Sequence, residues 1–283
     1  MNIIMTGHKG LIGSFLKKRL EEEGHTIILG VDKIDGREIQ TLNEFTLSPL
    51  VKIDMFIHCA SLCKINQIVE DPLKGFENVK NFQTVLEFCR KNKIQKFVCF
   101  SSSRVLNKER NPYTASKIYG EELCKGYHDC YGIDYLIIRP STVYGPIWDE
   151  TKRLMHIFIT NALQGKDIEI YGDPETKTLD FTYIDDFVDA MILAINNPPW
   201  NKEYNISGEE EFKIYDLAKM IVSECGSSSK IIIKDEEVAQ PQTVKVDVSE
   251  IKKLGYIPKF SLQRGIGRNI EFCKRAMSKR GIV

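Results

Sequence analysis

The chain has 283 residues, and 39 Lys and Arg balance 39 Asp and Glu, so its formal net charge is zero. That balance gives no overall electrostatic reason for a nucleic acid or an anionic membrane as partner, and any anion must be held by local geometry. No apolar run approaches the ~20 residues needed to cross a bilayer, and a strand-like segment beginning at Asn2 leaves no room for a signal peptide, so a cytoplasmic protein is expected.

The chain first alternates short apolar runs with longer amphipathic stretches: 2–6, 10–23, 26–31, 55–59, 72–91, 96–100, 112–131 and 133–139. Strands bounded by turn residues and separated by helices predict βαβ units on a parallel sheet. The nearly continuous apolar character of the strands fits a sheet covered by helices on both faces. The first strand runs into Thr6-Gly7-His8-Lys9-Gly10-Leu11-Ile12-Gly13. Gly7 permits a tight turn, Gly10 lets the backbone approach a pyrophosphate, and Gly13 lets the following helix pack closely on the sheet. The helix start adds amide donors and the positive end of its dipole. The second strand ends at Asp32, nineteen residues beyond Gly13, where a carboxylate accepts hydrogen bonds from an adenosine ribose. This combination predicts dinucleotide binding. Asp32 repels a 2′-phosphate and so selects NAD, while Lys33 and Arg37 stand near enough to compensate and keep NADP open.

Farther along, the eight cysteines are scattered through apolar segments, which predicts reduced, mostly buried thiols. Cys59 and Cys63 lack a second Cys/His pair at useful spacing, so no metal site is expected. Asn111-Pro112-Tyr113-Thr114-Ala115-Ser116-Lys117 opens a helix, Asn111 suiting the N-cap and Pro112 the first helical position. Tyr113 and Lys117 then share one face, one turn apart, and an ammonium beside a phenol favours the phenolate. After Pro146 the rhythm loosens into a helix over 153–164, a strand over 168–171, a turn at Gly172-Asp173-Pro174, and helices over 185–196, 214–225 and 262–277. The expected division is a dinucleotide-binding domain over 1–146, rejoined by 175–198, and a smaller substrate-binding lobe built mainly from 147–174 and 199–283. A cleft between the two is the natural place for a ligand.

In this order the motifs resemble the extended short-chain dehydrogenase/reductase family, in its NAD-dependent nucleotide-sugar epimerase and dehydratase group. The glycine spacing T-G-x-x-G-x-x-G carries the likeness. It continues through 54–60, through Glu77-Asn78-Val79, through Arg139-Pro140-Ser141-Thr142-Val143-Tyr144-Gly145-Pro146, through 179–186, and into Leu254-Gly255-Tyr256-Ile257-Pro258. The resemblance implies an α/β fold: a Rossmann-type doubly wound parallel sheet with a smaller, intertwined C-terminal substrate lobe. It implies a nucleotide-sugar substrate and a homodimer, in which helices 72–91 and 112–131 meet their counterparts in a four-helix bundle. Phe76, Val79, Phe82, Leu86, Tyr119, Leu123 and Tyr127 give those helices apolar stripes, some of which must face their own sheet. For NAD it implies contacts from Gly7, Lys9, Gly10, Leu11, Ile12, Gly13, Asp32, Lys33, Cys59, Ala60, Ser61, Asn78, Ser101, Tyr113, Lys117, Pro140, Thr142 and Val143. For catalysis it implies that Tyr113 and Lys117 work with a hydroxyl from the preceding strand. Aligning Val105-Leu106 with the family's Val-Tyr makes that hydroxyl Ser102, and counting from the strand makes it Ser103.

Departures from the family narrow the chemistry. Ten residues separate Ser102 from Tyr113, shortening the loop that often frames the sugar, and Leu106-Asn107 replaces the usual Tyr-Gly. Leu179 stands where many members direct an arginine at the diphosphate, leaving Arg153, Lys177 and Lys245 as candidates. Members that dehydrate or decarboxylate place an acid just after the catalytic hydroxyl, where this chain has Ser103 and Arg104, and a guanidinium stays charged and cannot hand over a proton. His156 and Cys59 exist, but nothing in the sequence places them beside the sugar. The simplest remaining chemistry is 4-epimerisation of a UDP-hexose by transient oxidation at C4. A nucleotide-keto-sugar reductase or a 4,6-dehydratase is the alternative, and a non-catalytic NAD(P)-binding sensor or scaffold is an alternative of another class.

Overall fold

The computed structural model describes residues 1–45, 47–48, 50–106, 110–208, 211–236 and 246–282. Its strands are β1 (Asn2–Thr6), β2 (Thr26–Val31), β3 (Met55–His58), β4 (Lys96–Phe100), β5 (Asp134–Pro140), β6 (Thr142–Tyr144), β7 (Ile168–Tyr171), β8 (Thr178–Tyr183), β9 (Lys202–Ile206), β10 (Glu211–Lys213) and β11 (Ile231–Lys234). Its helices are α1 (Leu11–Glu22), α2 (Ile65–Glu70), α3 (Leu73–Lys91), α4 (Pro112–Tyr131), α5 (Leu154–Leu163), α6 (Ile184–Asn196), α7 (Ile214–Cys225), α8 (Ser249–Lys252) and α9 (Leu262–Lys279). The chain divides into two compact units, one of Met1–Pro140, Val188–Ile206 and Asp247–Tyr256, the other of Ser141–Phe187, Ser207–Val246 and Ile257–Val283.

The first unit carries a six-stranded sheet in the order β2-β1-β3-β4-β5-β9, every neighbouring pair parallel. β3 is buried along its whole length, and β1 and β4 at all but their first residues, as expected of strands covered on both faces. From β1 the chain goes to β2 on one side and then to β3 on the other. The carboxyl ends of β1 and β3 are therefore the point where the winding reverses, the position at which open α/β sheets take ligands.

One layer of the core packs Phe82, Leu86 and Phe88 of α3 and Cys124 and Tyr127 of α4 over Ile4, Phe56, Phe97 and Ile137 of the sheet. Phe56 meets Phe88 edge-on with centroids 6.0 Å apart and stacks on Phe97 at 5.9 Å. Each such fully buried side chain contributes about 1.5–3 kcal/mol over leaving it in water. Gly120 makes the close approach of the two helices possible, since a Cβ there would lie 2.6 Å from the Phe82 ring. α4 starts as its sequence requires: Asn111 accepts the Thr114 amide at 2.9 Å, Pro112 fills the first turn, and Gly132 ends the helix at φ +69°.

In the second unit β8 pairs parallel with β6 and antiparallel with β10, while β7 and β11 form a parallel pair. The unit boundaries differ from the sequence expectation: residues 141–146 and 175–187 belong to the second unit rather than the first. β9 joins the first sheet beside β5, and Asp247–Tyr256 belongs to the same unit. The strand Lys-Glu-Tyr-Asn-Ile is half polar because it lies at the sheet edge, so it carries little of the apolar signal of the inner strands. A short extra helix, α2, precedes α3. Finally, Cys63 and Cys130 are exposed, while Cys89, Cys99, Cys124 and Cys273 are buried. Among the described residues, no helix is long and apolar enough to cross a membrane.

Candidate active site

The turn from β1 into α1 shows why its glycines differ. Gly7 has φ +69°, donates its N–H to the Val31 carbonyl at 2.9 Å, and would place a Cβ 2.6 Å from the Ala60 amide nitrogen. Backbone conformation and the exit of β3 both exclude a side chain there. A Cβ at Gly13 would run into the Gly7 carbonyl. Gly10 is another case: φ −69° and ψ 174° suit any residue, and the nearest atom to an added Cβ is the Gly7 oxygen at 3.4 Å. The protein itself does not require glycine at this position, and a Cβ would project into space that a ligand backing onto the loop can fill. α1 begins behind it with no capping side chain and no acidic residue in its first turn, leaving the positive end of the dipole for an outside anion.

At the end of β2, Asp32 Oδ2 accepts the Lys9 amide at 2.9 Å and Oδ1 accepts the Ile34 amide at 3.0 Å. A carboxylate offers about four lone-pair sites, so acceptor capacity is left for ribose hydroxyls. Lys33 pairs with Glu38 at 3.5 Å, and Arg37 donates to the Gly30 carbonyl at 3.2 Å. Two further residues at this corner escaped the sequence analysis. The buried His8 ring rests on Gly30, where a Cβ would come 2.6 Å from it, and its Nε2 lies 3.1 Å from Asp35 Oδ2. Lys9 Nζ pairs with the other Asp35 oxygen. Asp35 ends the 3₁₀ turn that Asp32 caps, and the local sequence does not mark it as the partner of His8 and Lys9.

At the carboxyl ends of β1 and β3, Thr6 Oγ1 accepts the Ala60 amide at 3.3 Å and lies 2.7 Å from His58 Nδ1. Burial pushes the His58 imidazole down to about 3, and the Lys117 charge acts in the same direction. Burial also raises the Cys59 thiol, which stays protonated. Asn78 clamps the loop after β3: it accepts the Leu62 amide and donates to the Leu62 carbonyl, both at 2.9 Å, accepts the Ser61 hydroxyl at 3.4 Å, and donates to Ser116 Oγ on α4 at 3.4 Å.

Tyr113 and Lys117, both buried, lie one turn apart on α4. Lys117 Nζ donates to the Phe100 carbonyl at the end of β4 at 2.9 Å and lies 5.7 Å from the Tyr113 ring centroid. Burial lowers its pKa from the ordinary lysine value. One turn farther on the same face, Glu121 accepts the Ser101 hydroxyl at 2.5 Å and a two-pronged contact from Arg139 at 2.8 and 2.6 Å, and Arg139 also reaches Glu203 at 2.6 Å. Ser101 is thereby engaged with Glu121. Ser102 Oγ accepts the Arg104 amide at 3.3 Å, and the buried Ser103 opens the next turn. Glu121 also went unnoticed in the sequence, although it continues the four-residue period of Tyr113 and Lys117.

The remaining candidates fall on β5, β6 and the segments that follow. Pro140 closes β5, while Thr142 and Val143 belong to β6, opposite Phe181 and Thr182 of β8. Arg153 is paired with Asp149 at 2.8 Å, and the buried Lys177 ammonium donates to the Tyr171 carbonyl at 2.5 Å. Lys245 and Asn107 lie outside the described residues. His156 meets the Trp148 ring edge-on at 4.8 Å.

Comparison with known proteins gives the family and the fold. The sequence profile of the NAD dependent epimerase/dehydratase family matches residues 3–207. An uncharacterized UDP-glucose epimerase of Bacillus subtilis is 28% identical over 310 aligned positions, covering 96% of this chain and 98% of the relative. The UDP-glucose 4-epimerase of Mycolicibacterium smegmatis is 25% identical over 309 positions, covering 96% and 98%. The crystal structure of a UDP-glucuronic acid 4-epimerase from Bacillus cereus, in complex with UDP-glucuronic acid and NAD, superposes with a TM-score of 0.84 at 27% identity, covering 98% of this chain and all of that one.

Proposed function

The chain belongs to the NAD dependent epimerase/dehydratase family, and from that premise we propose that it is a nucleotide-sugar epimerase that inverts C4 of a UDP-hexose. The observation that carries the reading is the α4 pair: Tyr113 one turn before a buried Lys117 whose ammonium reaches the end of β4. The loop of Gly7, Gly10 and Gly13, with the amides of Leu11 and Ile12, holds the pyrophosphate of NAD, and Asp32 accepts from the adenosine ribose. NAD bound there supplies the hydride acceptor and donor at C4. Tyr113 takes the proton of the C4 hydroxyl as that carbon becomes a carbonyl, and returns it once the sugar has presented its other face. Lys117 favours the phenolate form of Tyr113 and holds the adjoining ribose. Ser102 or Ser103 donates to the reacting oxygen. Ser103 and Arg104 offer no acid for dehydration or decarboxylation. On the same reading the enzyme works in the cytoplasm, in carbohydrate metabolism, as a homodimer joined through α3 and α4.

The test is incubation with UDP-, GDP- and dTDP-sugars in deuterated water, followed by chromatography and mass spectrometry. A UDP-sugar is expected to yield its C4 epimer with no net NADH and no deuterium at the inverted carbon. Tyr113→Phe is expected to lower turnover by ~10²–10⁴ with NAD affinity nearly unchanged, because the ring stays and only the proton acceptor goes. Stoichiometric loss of NADH with a keto-sugar would instead make the protein a reductase.

A further inference from the structure

Around the end of β2, three carboxylates, Asp32, Asp35 and Glu38, face three cations, Lys9, Lys33 and Arg37, and the cations are not held alike. The Lys33–Glu38 pair spans 3.5 Å with both side chains more than half exposed, at 68% and 58%, and such a pair opens at almost no cost. Arg37 rests on a neutral carbonyl. Lys9 is restrained more firmly: its backbone amide is fixed by Asp32, and its ammonium is paired with an Asp35 carboxylate that is only one-quarter exposed. The second Asp35 oxygen takes His8 Nε2. His8 Nδ1 is buried without a hydrogen-bond partner among the described residues, which suits a neutral ring with the proton on Nε2, since a lone pair is then left unmatched rather than an N–H.

We propose that Asp35 sets the cofactor selectivity of this enzyme by holding Lys9 and His8, the two donors that would otherwise receive the 2′-phosphate of NADP. The proposal rests on the reading of the β1–α1 loop as a dinucleotide site and adds to Asp32 a second residue with a different task. Asp32 accepts hydroxyl hydrogen bonds, which any adenosine ribose with free hydroxyls can offer. Asp35 removes positive charge from the same corner. A 2′-phosphate brings a charge of about −1.5 to −2, and in this arrangement it meets two carboxylates and an ammonium already matched. The lysine in the glycine loop is then no sign of NADP use.

Asp35→Asn keeps the side-chain size and removes its charge. Equilibrium binding of NADH and NADPH, followed by fluorescence, together with 2′,5′-ADP and 5′-ADP as probes that cannot turn over, reads the effect without reference to activity. The wild type is expected to prefer NADH. Asp35→Asn is expected to tighten NADPH and 2′,5′-ADP by about tenfold or more, the worth of one charge-assisted hydrogen bond. NADH and 5′-ADP should stay within about twofold of wild type. Adding Lys9→Ala should erase the gain, whereas adding Lys33→Ala should leave most of it. If the amide disturbs the turn, Asp35→Ala serves the same comparison. A variant that binds NADH like the wild type but gains nothing for NADPH overturns the proposal, as does a gain that survives the loss of Lys9. Failure of the wild type to bind either dinucleotide overturns the underlying site reading instead, and the two failures are distinct.

Discussion

Burial lowers the pKa of two buried basic side chains, Lys117 and His58, and the consequences differ. Lys117 is lowered but has compensation from the Phe100 carbonyl and from the faces of Phe82 and Tyr113. His58 Nδ1 meets the Thr6 hydroxyl, and burial pushes the imidazole from an ordinary 6.5 to about 3. The unfolded chain therefore binds a proton at His58 that the folded chain refuses. The stability this contributes is complete above pH 6.5 and is lost as pH falls toward 3. The slope from one proton is at most about 1.4 kcal/mol per pH unit. Urea unfolding measured at steps through that window should show this loss, and His58→Asn should flatten it. An identical acid limb in the variant would assign the loss to other groups.

The strand-turn-helix of β1 and α1 separates the glycines that the fold needs from the one it does not. Gly13→Ala should destabilise by about 1–3 kcal/mol or more, because its Cβ meets backbone that cannot give way. Gly10→Ala has room within the protein and a conformation alanine adopts freely, so the lost unfolded-state entropy should leave stability unchanged or raised by about 0.4–1 kcal/mol. The same methyl should weaken NAD binding at least tenfold, or about 1.4 kcal/mol. Thermal unfolding and NADH titration of the two variants check both statements. A Gly10→Ala protein that binds NADH normally would remove this loop from the proposed cofactor site.

For the whole molecule, the apolar stripes of α3 and α4 serve two surfaces. Phe82, Leu86 and Tyr127 are buried against their own sheet, whereas Leu73 and Phe76 on α3 and Ile118 on α4 are exposed. These outward residues are open to a second copy in the proposed four-helix bundle. Sedimentation at micromolar concentration should show a dimer, and Phe76→Glu should shift it toward monomer by placing a charge in an apolar contact. A wild type that sediments only as monomer contradicts the assembly.

Short-range geometry explains what could be read directly from the residues. The glycine spacing, the Asn111-Pro112 helix start and the Tyr113–Lys117 separation depend on backbone dihedrals and helix period, which a few neighbouring residues decide. The alternation of strands and helices announced the parallel sheet for the same reason, since each inner strand must be apolar on both faces. Tertiary structure alone paired Asp35 with Lys9 and His8, linked Ser101 through Glu121 to Arg139, which also holds Glu203, lowered His58, and set β9 beside β5. Charge states, ion-pair partners and an edge strand's place depend on which distant segments meet in space, and local sequence carries no record of that.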